Sequence, residues 1–163
     1  FQPNDIARLA RADIIASVQP RHITLDPGGP ERDLGPERVP YMWPFRTLLD
    51  SGATLAFGTD SPVTDIDPID AVYTAVTRRD ADTHEPLGGW LPEERITLAE
   101  ALRAYTAGSA AAAQRADELG QLAPGMFADI TVLSPNPFKL APDDLQQAKV
   151  QATYVAGKKA YER

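Results

Sequence analysis

Two side chains stand where many folds do chemistry. Asp60 follows the apolar run Ala53-Thr54-Leu55-Ala56-Phe57-Gly58-Thr59 and precedes Ser61-Pro62, so the pattern predicts a carboxylate at the C-terminal end of a buried strand. In parallel α/β folds that end of the sheet carries ligands and catalytic groups. An Asp before Ser-Pro also closes an Asx-turn on its own backbone in many loops, and the pattern alone leaves both readings open. His22 follows a second apolar run, Ile14-Ile15-Ala16-Ser17-Val18-Gln19, which Pro20 stops. It shares a rim with Asp60 if the two strands are parallel neighbours. The plain alternative is a hydrogen-bonded structural histidine.

Other candidates reduce to structure. His84 lies in Asp80-Ala81-Asp82-Thr83-His84-Glu85, a polar loop, and is expected to be solvated. Asp65, Asp67 and Asp70 are acidic neighbours without the spacing of a calcium loop, and helix capping accounts for Asp67. Gly88-Gly89 does not belong to a phosphate-binding pattern, and none of the serines sits in a G-x-S-x-G elbow.

The elements that must position Asp60 and His22 can be read from periodicity and punctuation. A first helix is expected around Ile6, Leu9 and Ala10, capped by Asn4 or Asp5. Residues 26–40, rich in Pro, Gly and charge, predict a long loop. A helix is expected over Tyr41–Asp50, with Gly52 as its stop. Asp67-Pro68 opens a helix through Ile69, Val72, Tyr73 and Val76, with Arg78 and Arg79 near its C-terminus, where the macrodipole favours cations. Thr97-Leu98-Ala99-Glu100 is a capping box for a helix that bends near Gly108. Ala128 to Leu133 predicts a strand, and Val150 to Tyr161 a hairpin turning at Ala156-Gly157-Lys158. The βα rhythm gives way to antiparallel β near residue 119.

Composition narrows the function classes. The 163 residues carry a net charge of -7, which argues against nucleic acid as a main partner. No apolar run reaches the roughly 18–20 residues of a membrane helix. With no cysteine, disulfide scaffolds, thiolate metal sites and cysteine catalysis are excluded. Two histidines are too few for a multi-His metal site within this chain. The first residue is Phe1 rather than Met, as expected of a piece of something longer, and for that reason a signal peptide cannot be judged.

Taken in order, several segments resemble the metal-dependent amidohydrolases of amidohydrolase family 3. They are Ala16-Ser17-Val18-Gln19-Pro20-Arg21-His22, Leu34-Gly35-Pro36-Glu37-Arg38, Phe45-Arg46-Thr47-Leu48-Leu49-Asp50-Ser51-Gly52 and Phe57-Gly58-Thr59-Asp60-Ser61-Pro62-Val63. Ala104-Tyr105-Thr106 and Gly120-Gln121-Leu122-Ala123-Pro124-Gly125-Met126-Phe127-Ala128-Asp129 follow in the same order. The resemblance covers nearly the whole chain but only the C-terminal third or so of a member.

It implies an α/β fold: residues 1–118 as the last βα units of a TIM-like (β/α)8 barrel and 119–163 as C-terminal strands of a flanking β-sandwich. Asp60 matches the final-strand Asp of the family, a metal ligand and acid/base. The family's early His-x-His, mid-barrel Lys and two later His have no counterpart here. His22, in a Gln-Pro-x-His segment, is then a substrate-binding candidate at the same mouth. The implied activity is hydrolysis of a small molecule's non-peptide C–N bond by metal-activated water, with zinc the expected cofactor. The 163-residue chain by itself is expected to be inactive, to be cytoplasmic, and to associate with the missing part of the barrel or with copies of itself. The alternative is a non-catalytic binding or assembly module derived from such an enzyme.

Overall fold

A computed structural model describes residues 2–163. It is an α/β structure with two separate sheets, one parallel and one antiparallel. Helix α1 spans Pro3–Arg11 and leads to strand β1, Ala16–Val18. Helices α2 (Gly29–Leu34) and α3 (Phe45–Asp50) precede strand β2, Leu55–Phe57. Helix α4 is Pro68–Thr77 and α5 is Leu98–Arg103. A π-helical turn, Ala104–Gly108, joins α5 to the short α6, Ser109–Ala112. The chain ends in β3 (Ile130–Ser134), β4 (Lys149–Val155) and β5 (Lys158–Glu162). No helix among the described residues is long and apolar enough to cross a membrane.

Strands β1 and β2 pair in parallel, with Ala16 opposite Leu55 and Val18 opposite Phe57. All three residues of β2 are buried, as a strand covered on both faces requires. Val18, Phe45, Leu48, Leu55, Phe57, Val72 and Ala101 form one core around this pair. The second sheet has the order β3-β4-β5, antiparallel throughout. The Pro142–Gln147 turn preceding β4 packs on α4, where Leu145 joins Tyr73 and Ala81 in a small second core.

Gly108 makes the seam between the π-helical turn and β2 possible. A Cβ there would lie 1.9 Å from the Leu55 carbonyl oxygen. Only hydrogen fits, and the close approach lets the Ser109 hydroxyl donate to the Phe57 carbonyl at 3.0 Å.

Local signals gave several ends correctly. The Asp67 carboxylate accepts from the Ile69 amide at 2.9 Å, and the Thr97–Glu100 capping box is complete. Three expectations need correction. The first helix begins at Pro3 after Gln2, so Asn4 and Asp5 lie inside its first turn. Proline suits that position because its missing N–H would have no partner there. Residues 26–40 are not a continuous loop: they hold α2 and a 3-10 turn, Val39–Tyr41. Six residues make fewer than two turns at about 3.6 residues each, too few to show a period. The helix expected over Tyr41–Asp50 begins only at Phe45, because Pro44 drives the residue before it away from helical geometry.

Arg78 sits at the C-terminus of α4, as expected. It caps the helix in left-handed geometry (φ 62°), and its side chain is fully buried. Its guanidinium donates to the carbonyls of Trp90 and Trp43, each at 2.9 Å, and lies over the rings of Phe45 and Trp90. Burial pushes its pKa down to about 10, against the opposing pull of Glu94 and Glu93.

Candidate active site

The two parallel strands deliver their C-terminal ends side by side. Beyond β1 the chain turns through a 3-10 segment, Pro20–Thr24, which carries His22. Beyond β2, the Gly58 amide still donates to the Val18 carbonyl at 3.3 Å, and Asp60 follows two residues later. The result is an imidazole and a carboxylate on one rim, with His22 Nε2 3.4 Å from Asp60 Oδ2.

Asp60 is held in left-handed backbone geometry, with φ 58°. That region is sparsely populated by residues other than glycine, though Asp tolerates it better than most. Its carbonyl accepts from the Val63 amide at 2.8 Å, and the Thr64 hydroxyl donates to the Thr59 carbonyl. The turn is therefore closed by backbone and by Thr64. The Asp60 carboxylate closes no Asx-turn: it is about half exposed and has no hydrogen bond among the described residues.

His22 is more enclosed, with a side chain 22% exposed. Its Nε2 is shielded from solvent and has no hydrogen bond, so the contact with Asp60 is one of ion-pair distance without hydrogen-bond geometry. A buried ring nitrogen without a partner is costly unless something else engages it.

Two ties hold the His22 turn in place, and neither was foreseen from sequence. The Thr24 hydroxyl donates to Asp80 Oδ2 at 2.9 Å, and Arg21 Nη2 donates to Asp82 Oδ2 at 2.9 Å. Burial raises the Asp80 pKa. The Thr83 backbone amide, the Thr24 hydroxyl and the Asp82 backbone amide outweigh that, leaving Asp80 below the usual carboxylate value. The Asp-x-Asp-Thr pattern does signal a local turn, but its partner Thr24 is remote in sequence and carries no local mark.

The remaining sequence candidates lie elsewhere. His84 is exposed, as expected; its Nε2 is 3.0 Å from Gln146 Oε1 and its ring lies tilted 5.3 Å from that of Tyr73. Asp65 accepts from the Asp67 amide, and Asp70 accepts from Gln146 Nε2. These acids are engaged in turns and packing. Among the described residues no three His, Cys, Asp or Glu side chains come together in a way that could hold a metal ion. Asp60 and His22 offer one oxygen and one unpartnered nitrogen, donor types that zinc accepts, and so fit part of a metal's ligand set but not all of it.

Comparison with known proteins points one way. The model of a family described as "Amidohydrolase family" matches residues 2–161. Protein LONG AFTER FAR-RED 3 of Arabidopsis thaliana is 40% identical over 160 residues, 98% of this chain and 27% of that protein. N-substituted formamide deformylase of Arthrobacter pascens is 35% identical over 122 residues, 75% of this chain and 22% of that protein. The crystal structure of an uncharacterized metal-dependent hydrolase from Pyrococcus horikoshii OT3 superposes with a TM-score of 0.65 at 32% identity, covering 77% of this chain and 25% of that one. The chain thus spans roughly a quarter of the length of the curated relatives it matches.

Proposed function

The chain belongs to the amidohydrolase family, and on that premise we propose that it is the C-terminal part of a metal-dependent hydrolase acting on non-peptide C–N bonds of the amide or N-acyl type. In this reading β1 and β2 are the last two strands of a (β/α)8 barrel, within residues 1–118, and residues 119–163 are C-terminal strands of a flanking sandwich. The observation that carries the reading is the His22–Asp60 pair, 3.4 Å apart at the C-terminal ends of adjacent parallel strands. The names of the relatives support it: one removes formyl groups from substituted nitrogen, and another is a metal-dependent hydrolase.

Asp60 is the residue of this chain that would hold the metal, zinc by family resemblance. A divalent metal supplies, when bound, a water whose pKa is lowered toward neutrality. Asp60 is half exposed and free of turn-closing duties, so its carboxylate can take a proton from water at the mouth. It then returns that proton to the departing nitrogen, which would otherwise have to leave as an amide anion. His22, whose Nε2 has no hydrogen bond and lies 3.4 Å from Asp60 Oδ2, is the substrate-binding residue of this reading.

The test is amine release from an N-substituted formamide by the protein carrying this chain in its natural reading frame. Asp60→Asn should lower kcat/KM by about 10²–10⁴-fold, the range for losing an acid/base group. An unchanged rate would overturn the assignment and favour a non-catalytic binding or assembly role.

A further inference from the structure

Residues 80–85 form a closed loop that bonds in two directions. The Asp80 amide donates to the Glu85 carbonyl at 2.8 Å and the His84 amide to the Asp80 carbonyl at 2.9 Å, which shuts the loop. Inside it, Asp80 Oδ1 accepts from the Asp82 and Thr83 amides and from the Thr83 hydroxyl. A loop tied so often to itself is rigid and moves as a unit. In one direction it holds the His22 turn, through Asp80 on Thr24 and Asp82 on Arg21.

In the other direction the loop is gripped by Gln146, in the Pro142–Gln147 turn that leads into β4. Gln146 Nε2 donates to the Ala81 carbonyl at 2.9 Å and to Asp70 Oδ1, on α4, at 2.8 Å. Both amide hydrogens are used, so Oε1 faces His84 and accepts from its Nε2 at 3.0 Å. A half-buried glutamine thus joins the second sheet's lead-in turn to α4 and to the loop that ties His22. The apolar plug at this junction is Leu145, buried against Tyr73 and Ala81. Stability comes from that plug, whereas a fully satisfied polar group adds little net energy and mainly specifies position.

We propose that Gln146 is a positioning residue for the candidate site: by fixing residues 80–85 against α4, it sets where the His22 turn stands opposite Asp60. It acts through the Asp80–Thr24 and Asp82–Arg21 contacts. The consequence for substrate rests on the hydrolase reading above, in which a displaced His22 binds substrate less well. The position of the turn is a property of the chain itself.

The test begins with amide hydrogen exchange in the full 163-residue chain carrying Gln146→Ala. The His22 amide, bonded to the Gln19 carbonyl at 3.2 Å, should exchange at least about tenfold faster, while the Ala16 and Ala53 amides of the core keep their rates. His84→Phe keeps a ring beside Tyr73 and removes the donor to Oε1, so it should give a smaller change in the same direction. Thr24→Val cuts a link between loop and turn, and in that background Gln146→Ala should add less than about half its effect. In the protein carrying this chain in its natural reading frame, Gln146→Ala should raise KM for an N-substituted formamide about 3- to 10-fold with kcat within about twofold, the pattern of a lost binding interaction. Unchanged exchange at His22, an equal rise at Ala16 and Ala53, or full additivity with Thr24→Val would overturn the proposal. So would an unchanged KM, or a fall in kcat alone, in an active protein. A parent protein that releases no amine fails the hydrolase reading instead, and exchange at His22 still decides the role of Gln146.

Discussion

His22 Nε2 and Asp60 Oδ2 face each other at 3.4 Å across the ends of two parallel strands, and the carboxylate partner is held at a positive φ of 58°. Neither the turn nor the core needs that carboxylate. A strained backbone at a carboxylate that does not close its own turn supports the acid/base role proposed for it.

Asp60→Gly follows from this. Glycine adopts left-handed geometry without steric cost, while it adds freedom to the unfolded chain. The two effects oppose each other, so global stability should stay within about 1 kcal/mol of the parent. Urea unfolding gives the stability and amine release gives the activity. A loss of several kcal/mol would make Asp60 a structural residue.

Arg78 is the opposite case, a charged side chain whose work is structural. Arg78→Met removes the donors to the Trp43 and Trp90 carbonyls in a part-buried place, where the Trp43 carbonyl keeps only the Phe45 amide. The expected cost is roughly 2–4 kcal/mol in denaturant unfolding. Arg78→Lys should recover less than half, since an ammonium cannot reproduce the planar fork that reaches two carbonyls and stacks on rings. Near-UV circular dichroism should change as well, because Trp43 and Trp90 pack edge to face at 5.9 Å.

At Gly108 the prediction is one of close approach. Gly108→Ala would drive a methyl group into the Leu55 carbonyl, 1.9 Å away, and push the π-helical turn off β2. A loss of about 1–3 kcal/mol is expected, as for other overpacked contacts, and should appear as a lower thermal midpoint. Gly88→Ala, where nothing lies within 4 Å of the added carbon, is the matched control and should change little.

Asp80 should give the protein part of its acid sensitivity. Its folded pKa lies below the ordinary aspartate value of 3.8. Its contribution is therefore fully present above 3.8, and is lost as pH falls through the lower folded value. Asp80→Asn should destabilise the chain at neutral pH and flatten the decline on acidification, as read from urea midpoints across that window. Glu100 is lowered too: burial raises it, and the Thr97 amide and Arg46 together outweigh that, so some acid dependence persists in the variant.

The sequence by itself determined what short-range geometry controls. Asp67 before Pro68 and Thr97 three residues before Glu100 specify helix starts because each cap bonds to an amide within the same turn. The apolar run before Asp60 was enough to put a carboxylate at a strand end, and the ordered segments were enough to reach the family. Only the tertiary structure decided which residues meet. The parallel register of Ala16 with Leu55 sets the distance from His22 to Asp60, and no local pattern encodes that register. Arg78, expected near a helix C-terminus, is also a buried clamp between Trp43 and Trp90, and Asp80 found Thr24. Contacts of this kind join segments far apart in the chain. Their geometry follows from how the whole core packs, so residue type and spacing along a single segment do not reveal them.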